Sequence, residues 1–309
     1  MITILMATYN GATYLPAQID SLLGQTIPFD ILHIQDDCST DDTWAILERH
    51  QFQYPDRIVV TRNEKNTGNP KHNFYSLMSR VRSDYIMLCD QDDVWLSEKI
   101  EKTLAKMREM EEEYGKDIPL LVHTDLCVVD ERLRVVNPSF KAAMNANYSR
   151  TALNQMIIQN TLTGCTSMYN RALAELLLPQ EPDYMVMHDW WLILTASAFG
   201  YIGNIDETLI LYRQHDGNDI GAKDMRTWRF KIKKVINYEE IKKALHQSYL
   251  QADSFLKYYN GNLNQEQICL LKEYSKIPRK SKLKRMQTVF QLKTFKNGIT
   301  RKMAQILFI

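Results

Sequence analysis

Met87-Leu88-Cys89-Asp90-Gln91-Asp92-Asp93-Val94-Trp95 is the stretch that decides the fold of this chain. Three carboxylates within four positions directly follow an apolar run, Tyr85–Cys89, which has the length and composition of a buried strand. Clustered negative charge at the end of a buried strand is unfavourable unless a positive group lies on it. Open α/β sheets bind their ligands at the carboxyl ends of the strands. The stretch therefore predicts an α/β fold with a ligand site at the sheet edge, and a divalent metal carrying a diphosphate is the simplest counter-charge.

The sequence before residue 130 alternates between strand-like and helix-like segments. Apolar runs and helical spacing predict a strand and then a helix, four times in succession, at 2–7, 14–23, 29–35, 41–53, 57–62, 71–80, 85–89 and 97–114. Ser39 or Thr40 is the predicted N-cap of the second helix. Strands that alternate with helices predict a parallel sheet with crossover connections.

The pattern becomes less regular after Pro119. Helices are predicted at 152–159 and 190–199, and from about Asp224 onward the chain is mostly helical and basic. Short apolar runs predict further strands at 120–125, 126–129, 165–169, 201–202 and 209–212.

Composition restricts the class of protein. The chain has 309 residues, of which 45% are hydrophobic and 24% charged, as expected for a globular protein with one large α/β domain and an appendage, or with two domains. A net charge of +1 gives no argument for nucleic acid binding. The five cysteines are far apart and lack zinc-site spacing, which favours reduced side chains. Without a signal peptide or a transmembrane run, we expect a cytoplasmic catalytic part.

The segment from residue 274 to residue 309 has an unusual charge pattern. It contains no Asp or Glu, apolar residues are interleaved throughout, and its basic residues are Lys276, Arg279, Lys280, Lys282, Lys284, Arg285, Lys293, Lys296, Arg301 and Lys302. A basic amphipathic tail of this kind docks on an anionic membrane surface, which would place the chain peripherally on the inner face of the cell membrane. The alternative is a solvated helical tail that packs partly on the body.

Polar clusters follow three of the predicted strands: Ala7–Gly11, Gln35–Asp42 and Asp90–Asp93. In a parallel sheet all three line one crevice. A carboxylate after the second strand can accept a hydrogen bond from a base or a ribose hydroxyl. The third cluster offers the oxygen ligands that Mg²⁺ and Mn²⁺ prefer, and the metal would neutralise a leaving diphosphate. The glycine loops of kinases and NAD enzymes are absent, so the pattern disfavours both classes.

Four motifs occur in order: Ala7-Thr8-Tyr9-Asn10, Asp36-Asp37-Cys38-Ser39-Thr40-Asp41, Asn66-Thr67-Gly68-Asn69 and Asp90-Gln91-Asp92-Asp93. Together they resemble family 2 glycosyltransferases of the GT-A fold, over about residues 1–215. The resemblance implies a Rossmann-like mixed sheet flanked by helices, with a basic helical C-terminal extension. It also implies a DXD motif for metal and diphosphate. Cys38 stands where the family commonly has glycine.

The resemblance assigns the donor side of the site. Arg213 and His215 lie in the Tyr-Arg-Gln-His segment, which closes over the diphosphate in the family; His215 is alternatively a metal ligand. Lys71 is a further phosphate contact or a surface lysine. The implied metal ligands for Mg²⁺ or Mn²⁺ are Asp90, Asp92 and His215. The implied nucleotide-sugar residues are Thr8, Tyr9, Asn10, Asp36, Asp37, Lys71, Asp90, Gln91, Arg213 and His215.

The acceptor side is assigned by Met187-His188-Asp189-Trp190-Trp191, which resembles the family's acidic motif at the start of a helix. Its aspartate is the general base in inverting members, because an attacking hydroxyl must lose a proton. The alternative for Asp189 is a first-turn carboxylate that complements the helix dipole. His188 replaces a glutamate that is common before the base. Thr163, Gly164, His188 and Trp190 are the implied acceptor contacts. The alternative for Trp190 is a place in the core, which is more common for an aromatic residue on a helix.

Four motifs of the second half, Leu121-Val122-His123-Thr124-Asp125-Leu126, Thr163-Gly164-Cys165-Thr166, His188-Asp189-Trp190 and Tyr212-Arg213-Gln214-His215, resemble rhamnosyltransferases of streptococcal cell-wall polysaccharide and capsule synthesis. This implies transfer from dTDP-L-rhamnose to a lipid-linked or growing glycan. UDP-galactose, UDP-glucose or UDP-N-acetylglucosamine remain alternative donors, and a nucleotidyltransferase or a non-catalytic sugar-binding module are alternatives of other classes. We expect a catalytic domain at 1–220, with a nucleotide-sugar half (1–118) and an acceptor half (119–220), and a basic helical region at 221–309. The sequence leaves a homodimer open.

Overall fold

The computed structural model describes residues 1–215 and 238–309. Its strands are β1 (Ile2–Thr8), β2 (Ile31–Asp36), β3 (Ile58–Arg62), β4 (Tyr85–Cys89), β5 (Val94–Trp95), β6 (Leu120–Val129), β7 (Val135–Asn137), β8 (Ser167–Asn170) and β9 (Tyr201–Arg213). In the described residues these strands form one sheet in the order β3-β2-β1-β4-β8-β6-β9-β5, and β7 pairs with β6.

The helices lie on both faces of this sheet. In chain order they are α1 (Leu15–Leu23), α2 (Thr43–Gln53), α3 (Pro70–Arg80), α4 (Lys99–Tyr114), α5 (Phe140–Met144), α6 (Leu153–Met156), α7 (Arg171–Glu175), α8 (His188–Phe199), α9 (Tyr238–Tyr258), α10 (Gln265–Ser275), α11 (Lys282–Leu292) and α12 (Ile299–Phe308). Short 3₁₀ turns at Gly164–Thr166 and Ile277–Arg279 complete the described elements. No helix of the described ranges is long and apolar enough to cross a bilayer.

Strand direction places the carboxyl ends of the first strands together. β1 is parallel to β2 and β4, and β2 is parallel to β3, as predicted from the alternating pattern. β8 then runs antiparallel to both β4 and β6, whereas β6 and β9 are parallel. The result is the mixed sheet flanked by helices that the motifs implied. The loops after β1, β2 and β4 meet at one edge of it.

The sheet separates two hydrophobic clusters because alternate residues of a strand point to opposite faces. On β1, Ile4 and Met6 belong to the cluster beneath α1, α2 and α4, and Leu5 belongs to the cluster beneath α3 and α8. The central strands are apolar on both faces, as buried parallel strands are. This explains why continuous apolar runs identified them in the sequence.

The C-terminal helices pack on the second of these clusters. Phe255 of α9 lies 5.1 Å from Trp191 of α8 between ring centroids, and Tyr274 and Val289 are buried in the same cluster. The C-terminal region therefore shares a core with the acceptor half. The expected boundary at 220/221 and the predicted start of the helical region near Asp224 lie outside the described residues.

Several predicted boundaries were wrong. The segments 120–125 and 126–129 form one strand, β6, whose pairing with β9 shifts register near Asp125. The segments 201–202 and 209–212 likewise belong to one strand, β9. In both cases polar residues interrupt the apolar run, and pairing with neighbouring strands continues through them.

Local polar contacts explain the remaining errors. The helix predicted at 152–159 is the single turn α6, and the strand predicted at 165–169 begins only at Ser167, after the 3₁₀ turn. Neither Ser39 nor Thr40 caps α2, which follows Asp42. The Ser39 hydroxyl donates to Asp36 instead, so a contact three residues back in the chain displaced the predicted cap.

Candidate active site

Asp36 ends β2 and is completely buried. Its carboxylate accepts hydrogen bonds from the Ser39 hydroxyl, from Ser39 N at 3.0 Å and from Thr8 Oγ1 at 3.2 Å. Arg62 Nε lies 3.3 Å from its second oxygen. Protein groups thus satisfy the carboxylate and compensate its charge, so Asp36 joins the ends of β1, β2 and β3 into one wall of the crevice.

Asp37 is also buried, and it organises the next loop. Its carboxylate accepts from Thr67 Oγ1 at 2.7 Å, from Thr67 N at 2.9 Å and from Asn63 Nδ2 at 2.7 Å. Cys38 follows with a φ of 60°, in the left-handed region that favours glycine. Asp37 therefore holds the Asn66-Thr67-Gly68-Asn69 motif against the strand ends, and Cys38 adopts the turn expected at a glycine position.

Gln91 binds the loop after β1. Its side-chain oxygen accepts from Tyr9 N at 2.9 Å, and its side-chain nitrogen donates to Tyr9 O at 3.0 Å. Asn10 closes the same loop by accepting from Thr40 N at 2.8 Å. A Cβ on Gly11 would lie 2.2 Å from the Gln91 oxygen, so a side chain at this position would displace the Gln91 amide. Gln91 thus connects the first and third polar clusters, while half the Tyr9 side chain stays exposed.

The cluster after β4 differs from the one after β2 because its carboxylates repel one another. Burial, and then the charge of Asp92, raise the pKa of Asp90 to about 7. Burial, and then the charges of Asp92 and Asp90, raise the pKa of Asp93 well above its usual range. Asp93 Oδ2 has no hydrogen-bond partner within the described residues. Such a cluster favours a bound cation.

The donor atoms of this cluster fit a hard divalent cation. Asp90 and Asp92 offer carboxylate oxygens, the ligands that Mg²⁺ and Mn²⁺ prefer. Potential ligand atoms of Asp90, Asp93 and Cys165 lie within 4.8 Å of one another in the described ranges, a set that differs from the predicted Asp90, Asp92 and His215. Burial raises the pKa of the Cys165 thiol well above its usual value, so the protonated sulfur is a poor ligand.

His215 and Arg213 lie beside the cluster. His215 Nε2 is 2.8 Å from Asp92 Oδ2, and its ring lies 4.7 Å from that of Tyr14. Arg213 is buried and donates from Nε to Asp92 O at 2.8 Å and from Nη1 to Glu131 O at 2.6 Å. Its main-chain N–H donates to Asp93 at 3.0 Å. These contacts fix the end of β9 on the carboxylate loop. The adjoining Asp216-Gly217-Asn218 lies outside the described residues.

Lys71 sits in the first turn of α3 and points toward the acceptor half. Asn69 is the N-cap of this helix, and its side chain accepts from Lys71 N at 3.0 Å. The Lys71 ammonium donates to Met185 O at 2.9 Å. The side chain therefore bridges the donor half to the segment that leads into α8.

Asp189 lies in the first turn of α8, where the helix dipole favours a negative charge. Its Oδ1 accepts from Trp190 N at 2.6 Å and from Asn160 Nδ2 at 3.1 Å, and the Gly164 N–H also donates to the carboxylate. Burial outweighs these contacts and raises the pKa of Asp189 to about 7. A carboxylate with such a pKa is suited to accept a proton near neutral pH.

The predicted acceptor residues surround Asp189. His188 is buried and stacks on Phe74 at 4.2 Å, and burial lowers its pKa to about 3. A Cβ on Gly164 would lie 3.0 Å from His188 Nε2, so the two residues fit closely. The Thr163 carbonyl accepts from Thr166 N at 2.9 Å. Trp190 donates from Nε1 to Met156 O at 2.7 Å, which holds the loop before Gly164 on α8.

The donor and acceptor halves converge. The charge of Asp189 is one of the causes that raise the pKa of Asp90, after burial and Asp92, so the two carboxylates lie close enough to interact. The sequence reasoning missed two residues here. Asn160 orients Asp189 from 29 positions away, a contact without a local sequence signal. Lys99 reads as an ordinary residue of a helix start.

Lys99 is completely buried, and its ammonium lies 3.5 Å from the ring centroid of Trp95. Burial lowers the pKa of Lys99 to about 7, while nearby Cys165, Cys89 and Asp93 raise it. The described residues offer its ammonium no hydrogen-bond partner. A lysine in this place contributes positive charge next to the carboxylate cluster, which partly offsets the repulsion among the three aspartates.

Comparison with known families agrees with this arrangement. The sequence profile described as Glycosyl transferase family 2 matches residues 3–177, which include both acidic clusters. The chain belongs to glycosyl transferase family 2. This family 2 glycosyltransferase is 26% identical to a dTDP-rhamnosyl transferase, RfbG, of Shigella flexneri over 275 residues, which cover 84% of this chain and 90% of the relative. It is 27% identical to a putative teichuronic acid biosynthesis glycosyltransferase, TuaG, of Bacillus subtilis, over 79% and 89% of the two chains.

Solved structures show the same fold. The S. aureus TarS fragment superposes with a TM-score of 0.56 at 16% identity, over 89% of this glycosyltransferase and 70% of the fragment. The mannosyltransferase PcManGT from Pyrobaculum calidifontis, solved with GDP-Man and Mn²⁺, gives a TM-score of 0.56 at 14% identity, over 94% and 72% of the two chains. At these identities the likeness establishes the GT-A fold alone.

Proposed function

We propose that the chain is an inverting, metal-dependent glycosyltransferase that transfers L-rhamnose from dTDP-L-rhamnose to a lipid-linked or growing cell-surface polysaccharide. The observation that carries this proposal is the convergence of two unlike carboxylate sites. Asp189, with a pKa of about 7, interacts with Asp90 of the cluster that favours a cation. A base for the acceptor and a holder for the donor diphosphate would thus face one another.

The proposal gives each residue of the donor side a role in binding the metal, the diphosphate or the nucleoside. Asp90, Asp92 and His215 would hold Mg²⁺ or Mn²⁺, and the ion supplies charge that stabilises the departing diphosphate. Lys71, Arg213 and the Gln91 loop would border the diphosphate. Thr8, Tyr9, Asn10, Asp36 and Asp37 would form the wall for base and ribose, in which buried Asp36 and Asp37 shape the wall through the hydrogen bonds described above.

The transfer is a single displacement at the anomeric carbon. The acceptor hydroxyl oxygen forms a bond to that carbon as the bond from the carbon to the diphosphate oxygen breaks. The diphosphate leaves with the electron pair, and the hydroxyl proton passes to Asp189. Attack from the face opposite the leaving group inverts the configuration. Thr163, Gly164, His188 and Trp190 would position the acceptor next to this carboxylate.

The choice of donor rests on relatives. The Shigella flexneri protein is named as a dTDP-rhamnosyl transferase and spans most of this chain, which favours dTDP-L-rhamnose. TarS was solved with UDP-GlcNAc, and UDP-linked sugars therefore remain the alternative donors. A nucleotidyltransferase is disfavoured because the loop after β1, Thr8–Gly11, lacks basic residues. The intact Asp189 environment argues against a non-catalytic binding module.

A donor panel tests the proposal. The full chain is incubated with Mg²⁺ or Mn²⁺, an undecaprenyl-linked or synthetic rhamnoside acceptor, and dTDP-L-rhamnose, UDP-galactose, UDP-glucose or UDP-N-acetylglucosamine in turn. Nucleoside diphosphate release and the glycoside product are both measured, with Asp92→Asn as a control of strongly reduced activity. We expect turnover with dTDP-L-rhamnose and loss of turnover with EDTA. Turnover with a UDP-sugar alone would overturn the donor, and an unchanged rate in EDTA would overturn the metal dependence.

A lipid-linked acceptor would be presented at a membrane. We therefore propose that the chain works peripherally on the inner face of the cell membrane, a location that the basic C-terminal segment supports through its charge.

A further inference from the structure

An exposed apolar stripe runs along α12. Ile299, Met303 and Leu307 are four positions apart, so they lie on one face of the helix. Their side chains are 80%, 66% and 61% exposed. Scattered exposed apolar residues are normal in proteins, whereas contiguous ones indicate an interaction surface. Three in register on one short helix form such a surface.

A second pair of exposed apolar residues lies on α11. Leu283 and Phe290 are two helical turns apart and are 80% and 55% exposed. The Phe290 ring lies 5.0 Å from the ring of Phe295, and the Lys302 ammonium on α12 lies 4.2 Å from the same Phe295 ring. These contacts connect the two helices. We call Leu283, Phe290, Ile299, Met303 and Leu307 together the C-terminal patch.

The opposite faces of both helices are attached to the body. Val289 of α11 is buried in the core cluster shared with α8. Gln305 of α12 is completely buried and donates to Thr294 O at 2.7 Å, and Arg301 donates to Met144 O at 2.7 Å. The helices therefore cannot turn the patch inward without losing these contacts. Exposure of the patch follows from how the two helices are fixed.

The surroundings of the patch are basic. Lys282, Lys284, Lys293 and Lys302 are exposed, and the segment 274–309 contains no acidic side chain. Across the described ranges, the one ion pair of this segment joins Lys280 to Glu273. Apolar side chains bordered by lysines match a bilayer surface that carries negative head groups, because the apolar residues enter the interface while the lysines meet the phosphates.

We propose that the C-terminal patch docks the protein on the surface of an anionic lipid bilayer. A membrane fits these observations better than a second copy, because no carboxylate of the segment offers the matching charge that a self-complementary interface needs. This inference deepens the proposed location and does not depend on the transfer activity. Docking would hold the catalytic edge near a lipid-linked acceptor.

Vesicle binding tests the inference. The full chain is centrifuged with phosphatidylcholine vesicles with or without phosphatidylglycerol, and compared with the variant Ile299→Ser/Met303→Ser/Leu307→Ser. The matched control, Phe52→Ser/Val135→Ser/Leu178→Ser, replaces three apolar residues that are exposed outside the patch. We expect the patch variant to lose about tenfold in partitioning to the anionic vesicles and the control to lose little. Point variants are preferred to truncation, because Val289 of α11 and Ile309, which follows α12, belong to the core.

A second variant separates charge from apolar contact. Lys282→Gln/Lys284→Gln/Lys293→Gln leaves the patch intact, and we expect it to bind anionic vesicles about tenfold more weakly and with less dependence on salt. Equal binding by parent, patch variant and lysine variant would overturn the inference. So would a patch-dependent dimer in sedimentation without vesicle binding, which would assign the patch to a second copy. The donor panel in solution is unaffected by either result.

Discussion

Two acidic clusters lie at the same edge of the sheet and have opposite physical characters. After β2, Asp36 and Asp37 are buried and accept hydrogen bonds from protein donors, and Arg62 compensates the charge of Asp36. After β4, Asp90 and Asp93 are crowded by Asp92, and the pKa of each is raised. Two aspartate-rich segments thus behave differently: the first has its hydrogen-bond donors within the protein, and the second favours an added cation.

The difference teaches how to read acidic runs in sequences. A cluster followed by Ser, Thr and Asn side chains finds its donors inside the protein, as Asp36 does with Ser39 and Asp37 with Thr67. In a cluster without such neighbours, the repulsion among the buried carboxylates is not compensated until a ligand binds. Substitutions in the first cluster should therefore affect folding, and substitutions in the second should affect turnover.

The largest effect is expected at Asp189, which resembles the second cluster in its raised pKa. Asp189→Asn keeps the shape and removes the proton acceptor, so we expect kcat to fall by about 1,000-fold, within the range for general bases. Steady-state kinetics with saturating donor and metal measure it. Asp183→Asn, an exposed aspartate ahead of the same helix, serves as the control. Turnover of Asp189→Asn at the parental rate would refute the base assignment.

Asp92→Asn tests the second cluster directly. We expect kcat to fall by about 100-fold, because the proposed metal would lose a charged ligand. The metal-free variant should be at least as stable as the parent, since Asp92 is a cause of the raised pKa of Asp90 and its removal relieves repulsion. Thermal unfolding with and without Mn²⁺ measures the second part. If the metal-free variant is less stable than the parent, Asp92 stabilises the fold as Asp36 and Asp37 do, and the comparison fails.

Asp36→Asn tests the first cluster. The amide would direct N–H groups at donors that now bind the carboxylate, so we expect the free energy of unfolding to fall by about 2 kcal/mol. Urea unfolding provides the measurement, and exposed Asp56→Asn is the control. Activity of the folded fraction should fall less than in Asp92→Asn. If Asp36→Asn is as stable as the parent and has lost its activity, Asp36 acts in turnover and not in folding, which contradicts the comparison.

Asn160→Ala should have the smallest effect. The base must be unprotonated, so kcat should decline as pH falls through about 7, the pKa of Asp189. Asn160 donates to this carboxylate and lowers its pKa, so the variant's decline should begin about one pH unit higher. The profile is measured at saturating metal, which compensates Asp90. Asn154→Ala is the control, because the Asn154 side chain donates to Leu292 O and not to Asp189. An unchanged midpoint would exclude the orienting role.

The fold was largely predictable because the central strands are apolar on both faces. Tyr85–Cys89 was predicted with its observed bounds, and the parallel order of the first strands followed from their alternation with helices. The GT-A fold and the family are confirmed. The insertion of antiparallel β8 between β4 and β6 was not predictable, since strand periodicity carries no information about direction.

The individual site residues stay predictions, and the structure explains why sequence alone could not refine them. Local patterns cannot show that the Ser39 hydroxyl turns to Asp36 instead of capping a helix. They also cannot show that Asn160 reaches Asp189, or that Lys99 is enclosed next to Trp95. The contact between Asn160 and Asp189 joins segments brought together only by tertiary packing. Ser39 and Lys99 contact residues close in sequence, and the direction of their side chains depends on the surrounding packing. Residue type and spacing locate the acidic clusters in the sequence. Packing decides which of their carboxylates have hydrogen-bond donors within the protein.

The pair formed by Gln91 and Gly11 has a consequence for engineering donor specificity. Because the Gln91 amide bridges both main-chain groups of Tyr9 and a Cβ at Gly11 would overlap its oxygen, a side chain at position 11 would displace this amide and break both hydrogen bonds. Libraries that randomise only the Tyr9 side chain should keep the backbone of the loop, because Gln91 contacts Tyr9 through main-chain groups. Libraries that vary Gly11 should loosen this loop, whatever sugar they were meant to accept.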